Sequence, residues 1–403
     1  MDKSLLRILV LDDEPFMLKL LAHLLLDLGF SPAITCDNGA AALRCVDSAD
    51  RTPDLILLDL NMPDMDGVEF VRELVGRGYS GSLILVSGED ERVLHMAEKL
   101  IHAHQVNVLG HLSKPFSLGG LSALMEKSVL DVRRGKRAIK KAYSAERLGT
   151  AIARGELVNY YQPKVVVATG AVVGVETLVR WRHPQDGLIF PDQFIGLAEE
   201  HGLIDALTRA VMRNALAQVK AWLQQGLHLR VAINISMDNL SSLAFAEYIT
   251  NEALAAGVAP QDIILEVTES RLMLDQRAPL EILTRLRMKR YRLSLDDFGT
   301  GHSSLTLLHD ISFDELKIDR SFVHEAWRDP TTRAIYDASL ALGKQLGMVV
   351  VAEGVEDAND WGLVKRTGCD LAQGYFIARP MPAADLPAWI ESWNACMQRK
   401  GNQ

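Results

Sequence analysis

The stretch RLSLDDFGTG, residues 292–301, joins a short apolar alternation to two adjacent acids and then to a glycine-rich turn. Neighbours in a regular strand point to opposite faces, so Asp296 and Asp297 are expected to reach one site only beyond the strand's end. Gly299 and Gly301 license the tight backbone of a loop at that point. A strand that delivers two carboxylates to a loop marks the functional edge of a sheet, because ligands of parallel sheets sit at the carboxyl ends of the strands.

The same pattern recurs on both sides of this stretch. Strand-like runs ending in polar clusters are NYYQPK (159–164), VVGVETLVRW (172–181), RVAINIS (230–236), IILEVTES (263–270), FDELKIDR (313–320), VVVAEGVE (349–356) and LAQGYFIARP (371–380). Amphipathic segments such as Leu207 to Gln225, with apolar residues at i, i+3 and i+4, lie between them. Eight such units over about 250 residues predict a (β/α)8 TIM-like barrel with its active site at the carboxyl face.

The acids and amides read at the eight strand ends are Gln162, Glu176, Asn234, Glu266, Glu269, Asp296, Asp297, Glu353, Glu356 and Gln373. So many carboxyls in one barrel mouth repel one another and call for divalent metal or shared protons. Oxygen ligands without a His or Cys cluster point to Mg2+ or Mn2+ rather than to structural zinc. Cationic partners are few: Arg180, four residues after Glu176, and Lys317. In a two-metal hydrolase a lysine orients or deprotonates the attacking water and an arginine clamps a phosphate, which suits in-line attack on a phosphodiester.

Residues 1–125 alternate in the same way: RILVLDD, a helix around Phe16 to Leu28, DLILLDLNMP, a helix near Val68 to Val75, SLILVSG and VLGHLSKPF. This predicts an α/β, doubly wound parallel sheet with helices on both faces. Asp12, Asp13, Asp59, Ser87 and Lys114 stand at its strand ends. Between Leu121 and Ile152 the pattern turns helical and basic, with Arg133-Arg134-Gly135-Lys136-Arg137 in its middle, and reads as a solvated linker.

Composition narrows the function classes. With 403 residues, 48% apolar and 24% charged, the chain has material for two cores. A net charge of −9 argues against a duplex-wrapping surface, and no separate basic recognition module remains for DNA. Cys36, Cys45, Cys369 and Cys396 are scattered, as in a reducing compartment. No apolar run approaches the 18 residues or more of a membrane span, and the opening MDKSLLRILVLDDE meets acid too early for a signal peptide. A cytoplasmic protein without membrane insertion is expected. The absence of G-x-x-x-x-G-K-[ST] disfavours a nucleoside triphosphatase.

Two resemblances follow from these residues. Gln162-Pro163, Glu176-Thr177-Leu178-Val179-Arg180, Asn234, Glu266-Val267-Thr268-Glu269, Asp296 to Gly301, Lys317-Ile318-Asp319, Glu353-Gly354-Val355-Glu356 and Gln373-Gly374-Tyr375 together resemble EAL-domain cyclic di-GMP phosphodiesterases. That resemblance implies two metal ions held by Glu176, Asn234, Glu266, Asp296 and Asp297, with Lys317 and Glu353 close to the nucleophilic water. It assigns substrate contacts to Gln162, Arg180 and Gln373, support of the DDFGTG loop to Glu269, and a nearby supporting role to Glu356. Thr177 replaces the alanine of the name-giving triplet, and His302 stands where the family usually has tyrosine.

The amino-terminal set resembles the receiver domain of bacterial response regulators, a flavodoxin-like fold. It implies one Mg2+ held by Asp12 or Asp13, Asp59 and the carbonyl of Asn61, with Asp59 as phosphoacceptor. Ser87 and Lys114 would then bind the phosphoryl oxygens, and His111 takes the place of the usual switch aromatic. The expected organisation is a receiver over 5–128, a helical linker over 129–147 and an EAL domain over 148–398. The expected activity is phosphorylation-regulated hydrolysis of cyclic di-GMP to linear pGpG. A sensor histidine kinase or phosphotransfer protein would be the partner, and the chain would form a homo-oligomer. The alternative is a catalytically silent cyclic di-GMP receptor or protein-interaction module.

Overall fold

The computed structural model describes residues 6–48, 52–88, 106–115, 117–135, 143–268, 277–300 and 308–401, with residues 94, 97, 100 and 101 besides. The chain divides into two compact units, Met1–Lys141 and Ala142–Gln403.

The first unit is built on a parallel five-stranded sheet: β1 (Ile8–Leu11), β2 (Ile34–Cys36), β3 (Leu55–Asp59), β4 (Ser82–Ser87) and β5 (Asn107–Ser113), in the order β2-β1-β3-β4-β5. Every residue of β1, β3 and β4 is buried, as continuous apolar runs covered on both faces must be. The three-residue β2 escapes a reading by periodicity, being a short, half-exposed edge. The helices Gly39–Asp47 and Gly67–Gly76 start at Asn38 and Asp66, whose side chains accept from Ala41 N and Glu69 N. The linker reading falls on the helices Leu118–Gly135 and Ala145–Ala153, and residues 136–142 between them lie outside the described ones.

The second unit is a closed eight-stranded barrel. β6 (Leu157–Val166), β7 (Val172–His183), β9 (Arg230–Ile235), β10 (Ile263–Thr268), β11 (Arg292–Phe298), β12 (Glu315–Ile318), β13 (Val349–Ala352) and β14 (Leu371–Ala372) pair in ring order, and β6 closes onto β7. β8 (Gly187–Ile189) and β15 (Met381–Pro382) flank the ring. One strand runs against the rest: β6 is antiparallel to both β7 and β14. Gln162 and Glu176 are therefore cross-strand partners in mid-strand rather than residues at two carboxyl ends.

The helix Ile204–Gln224 shows why the shell holds. Its buried residues Leu207, Val211, Ala215, Val219 and Trp222 recur at the helical period, and the last three pack on the same core as Tyr161 of β6. Trp222 and Tyr161 meet edge to face at 4.9 Å. Burial of each such aliphatic side chain is worth about 1.5–3 kcal/mol, so the shell clamps the strands whose inward residues are polar. Among the described residues no helix is long and apolar enough to cross a membrane.

Candidate active site

Inside the barrel the polar residues converge on one ammonium. Lys317, on β12 and 1% exposed, places Nζ 2.7 Å from Glu353 Oε1, 2.9 Å from Asp296 Oδ1, 3.3 Å from Glu266 Oε1 and 3.6 Å from Glu176 Oε2. Glu176 accepts from Asn234 Nδ2 at 3.0 Å and from Gln373 Nε2 at 2.6 Å. Gln373 also donates to Gln162 Oε1 at 2.9 Å, and Gln162 donates to the Ala378 carbonyl. Gln162, Glu176, Asn234, Glu266, Asp296, Lys317, Glu353 and Gln373 thus form one connected group drawn from six strands and the turns after β13 and β14.

The acidic pair is delivered differently from the expectation. β11 continues through both acids to Phe298, and its register with β12 shifts between Leu295 and Phe298. Asp297 sits in this irregularity with a left-handed φ of 56°. An extra residue in a strand abolishes the strict alternation of faces, so two neighbouring acids serve one site without leaving the strand. Oxygens of Asp296, Asp297 and Glu353 lie within 4.8 Å of one another. Gly299 follows at a φ of 99°, where a Cβ would come within 2.8 Å of the Phe322 ring.

Charge sets the chemistry. Burial pushes the Glu353 carboxyl well above the ordinary carboxylate range and raises that of Glu176, with Lys317 opposing and the neighbouring acids adding. Burial also lifts Asp297 to about 6, helped by Asp296 and Asp319. On Glu266 burial acts in the same direction, but Lys164 and then Lys317 outweigh it and hold the carboxyl below its usual range. Lys317 is buried against its own charge, yet Asp296, Glu176, Glu266 and Glu353 together keep it protonated.

Two oxygens bear on a cation. Glu266 Oε2 and Gln373 Oε1 are buried and have no hydrogen-bond partner among the described residues. An orphaned, buried carboxylate oxygen beside a cluster of three acids is the donor set that a hard divalent cation satisfies, so the residues fit Mg2+ or Mn2+.

Other expected residues have contacts of their own or fall outside the described residues. Arg180 is buried, with its guanidinium 4.9 Å from the Phe190 ring centroid and 5.7 Å from that of Tyr160. Glu356 pairs with Arg320 at 2.9 Å and is not in the cluster of three acids. Thr177 is buried, and its hydroxyl has no partner among the described residues. Glu269, Gly301 and His302 lie outside the described residues. Two residues went unread in the sequence: Lys164, 2% exposed, and Glu315, 5% exposed, which pair at 2.7 Å. The signal was present in the period of two, since Lys164 follows Gln162 and Glu315 precedes Lys317 by two positions on the same strands.

In the first unit Lys114 Nζ lies 2.8 Å from Asp59 Oδ2 and 2.9 Å from Asp12 Oδ2. Asp12, Asp13 and Asp59 bring carboxyl oxygens within 4.8 Å of one another. Asn61 N donates to Asp59 Oδ1, and Lys114 N donates to the carbonyl of the buried Ser87. Burial raises the Asp59 carboxyl, with the Lys114 bond opposing. Three acids against one ammonium again suit a cation. His111 stands on β5, exposed, in register with Leu85.

The EAL domain family model matches residues 145–380, and the response regulator receiver domain model matches residues 8–126. The chain belongs to the EAL domain family. This EAL protein carries a receiver domain ahead of the barrel, as the pair of matches requires. It is similar to the cyclic di-GMP phosphodiesterase RocR of Pseudomonas aeruginosa, 34% identical over 94% of this chain and 96% of RocR. It is also similar to the bifunctional diguanylate cyclase/cyclic di-GMP phosphodiesterase MucR of the same organism, 43% identical, but spans 36% of that protein's length. The solved PaMucR phosphodiesterase in its c-di-GMP complex aligns with the EAL protein at a TM-score of 0.57 and 42% identity, covering 60% of this chain and 98% of that one.

Proposed function

We propose that this EAL protein is a cyclic di-GMP phosphodiesterase, which opens the dinucleotide to linear pGpG by a two-metal mechanism under the control of phosphorylation at Asp59. Support for the substrate comes from RocR, MucR and the PaMucR complex, whose names carry cyclic di-GMP. The observation that carries the metal reading is the charge count inside the barrel. Six carboxyls, those of Glu176, Glu266, Asp296, Asp297, Glu315 and Glu353, face two ammoniums, Lys164 and Lys317. The four carboxyls in excess of the ammoniums, once ionised, match the charge of two divalent cations.

Glu176, Asn234, Glu266, Asp296 and Asp297 would hold the cations, which when bound would acidify a water and polarise the phosphodiester. Glu353 and Lys317 share a proton-bearing contact at 2.7 Å; the Lys317 ammonium would orient that water and the Glu353 carboxylate would accept its proton. Gln162 and Gln373, already bonded to each other, would present an ordered amide edge to the dinucleotide, and Arg180 would meet a phosphate. In the receiver, Asp59 would take a phosphoryl group beside Lys114 and Ser87 with one Mg2+, from a sensor histidine kinase or phosphotransfer protein.

We further propose domain bounds of 5–128 and 148–398 with a linker between, a cytoplasmic site of action and a homo-oligomeric state. The decisive assay is turnover of cyclic di-GMP in Mg2+, followed by chromatography of pGpG. Wild type is expected to be active and Glu176→Ala to fall by a factor of about 100 or more, because the remaining ligands cannot hold two cations at the required spacing. Full Mg2+-dependent activity in Glu176→Ala sinks the metal assignment, and an inactive wild type sinks the enzyme reading.

A further inference from the structure

Glu266, Ser294 and Glu315 occupy one register row across β10, β11 and β12. Lys164 reaches this row from β6, across the barrel interior, and bonds both of its ends: Glu266 Oε1 at 2.8 Å and Glu315 Oε1 at 2.7 Å. Ser294 Oγ donates to the same Glu315 oxygen at 3.1 Å. None of these four side chains reaches solvent to any useful extent, so the arrangement is a built network inside the barrel.

Its consequence falls on Glu266. One carboxylate oxygen, Oε1, is taken by Lys164 at 2.8 Å and Lys317 at 3.3 Å, and the other, Oε2, is buried with no partner among the described residues. We propose that Lys164 is a positioning residue for the metal site: it pins Glu266 by Oε1 so that Oε2 is the oxygen left for a cation, while Glu315 cancels the charge of Lys164. This rests on the reading of Glu266 as a cation ligand and extends it to two residues outside the ligand set.

The role of Glu315 follows from electrostatics. An uncompensated ammonium bonded to a ligand carboxylate repels the incoming cation. A paired ammonium keeps the hydrogen bond and loses most of the repulsion, because Lys164 and Glu315 together are neutral. A purely space-filling Lys164 would need no contact with Glu266.

The test replaces the pair without altering the net charge. Full-length protein with the receiver pocket silenced by Asp13→Asn and Asp59→Asn is titrated with Mn2+ calorimetrically, without substrate. Against this background, Lys164→Met/Glu315→Met removes the donor, and Lys164→Gln/Glu315→Gln keeps a neutral donor. The Met pair is expected to weaken Mn2+ binding by about 10- to 100-fold, the range for supporting residues of metal ligands, and the Gln pair by less than about threefold. Lys164→Leu/Glu315→Met is made in parallel as a second donor-free variant, with folding followed by circular dichroism. A folded donor-free variant that binds Mn2+ as the background does overturns the proposal. So does failure of both donor-free variants to fold, which would make the network structural. If Glu266→Gln binds Mn2+ unchanged, or the background takes up none in the barrel, the ligand reading itself falls and the proposal with it.

Discussion

Lys317 Nζ lies 2.7 Å from Glu353 Oε1, the shortest of the four carboxylate contacts that this buried ammonium makes. Removing one partner of a buried pair leaves an uncompensated charge and typically costs 3–5 kcal/mol, so a neutral isostere is the cleaner probe of either residue.

Glu353→Gln keeps the shape and removes the charge beside the proposed water position. Its kcat is expected to fall by about 100-fold or more with KM within about threefold of wild type, since a lost proton acceptor acts on the transition state. Steady-state kinetics at saturating Mg2+ read this directly. A large rise in KM with kcat unchanged would mean that Glu353 serves binding alone.

Burial pushes the Asp297 carboxyl of the folded protein up to about 6 from the ordinary 3.8. A carboxyl with a raised folded value binds its proton more tightly folded than unfolded. Its contribution is therefore full below about pH 4 and is lost as pH rises through about 6. In chelator, the unfolding midpoint of wild type relative to Asp297→Asn is expected to decline across that window. Saturating Mg2+ should abolish the decline, because the carboxylate is the form a cation stabilises. A wild-type midpoint that climbs relative to the variant over the same range contradicts the assignment.

Phosphorylating Asp59 adds charge next to Lys114, whose ammonium already contacts Asp59 at 2.8 Å and Asp12 at 2.9 Å. Acetyl phosphate is expected to raise cyclic di-GMP turnover of wild type by roughly 5- to 150-fold if a typical allosteric coupling of about 1–3 kcal/mol reaches kcat. Asp59→Asn should not respond. Intact mass reports stoichiometry. Complete phosphorylation with a rate equal to the variant's would leave the receiver with another purpose.

Much of the site was legible because its signals are local. The alternation of apolar runs with amphipathic segments, the acids that close those runs and the glycines after Asp297 each depend on neighbouring residues alone, and they point to a flavodoxin-like receiver and a TIM-like barrel. Local pattern also carried Glu176, Glu266, Asp296, Lys317, Glu353 and Gln373 to one interior, where the structure joins them.

What the tertiary structure decided is everything that depends on which strand lies beside which, and in what direction. The reversed β6 puts Gln162 opposite Glu176 and sends Lys164 across the barrel to Glu266 and Glu315. The irregularity at Asp297 turns two successive acids to one site, and Glu356 is drawn to Arg320 instead of the cluster. None of these could be read along the chain. Strand direction, register and bulges are set by hydrogen bonds between segments far apart in sequence, and the partner of a buried charge is whichever opposite charge that pairing brings within reach.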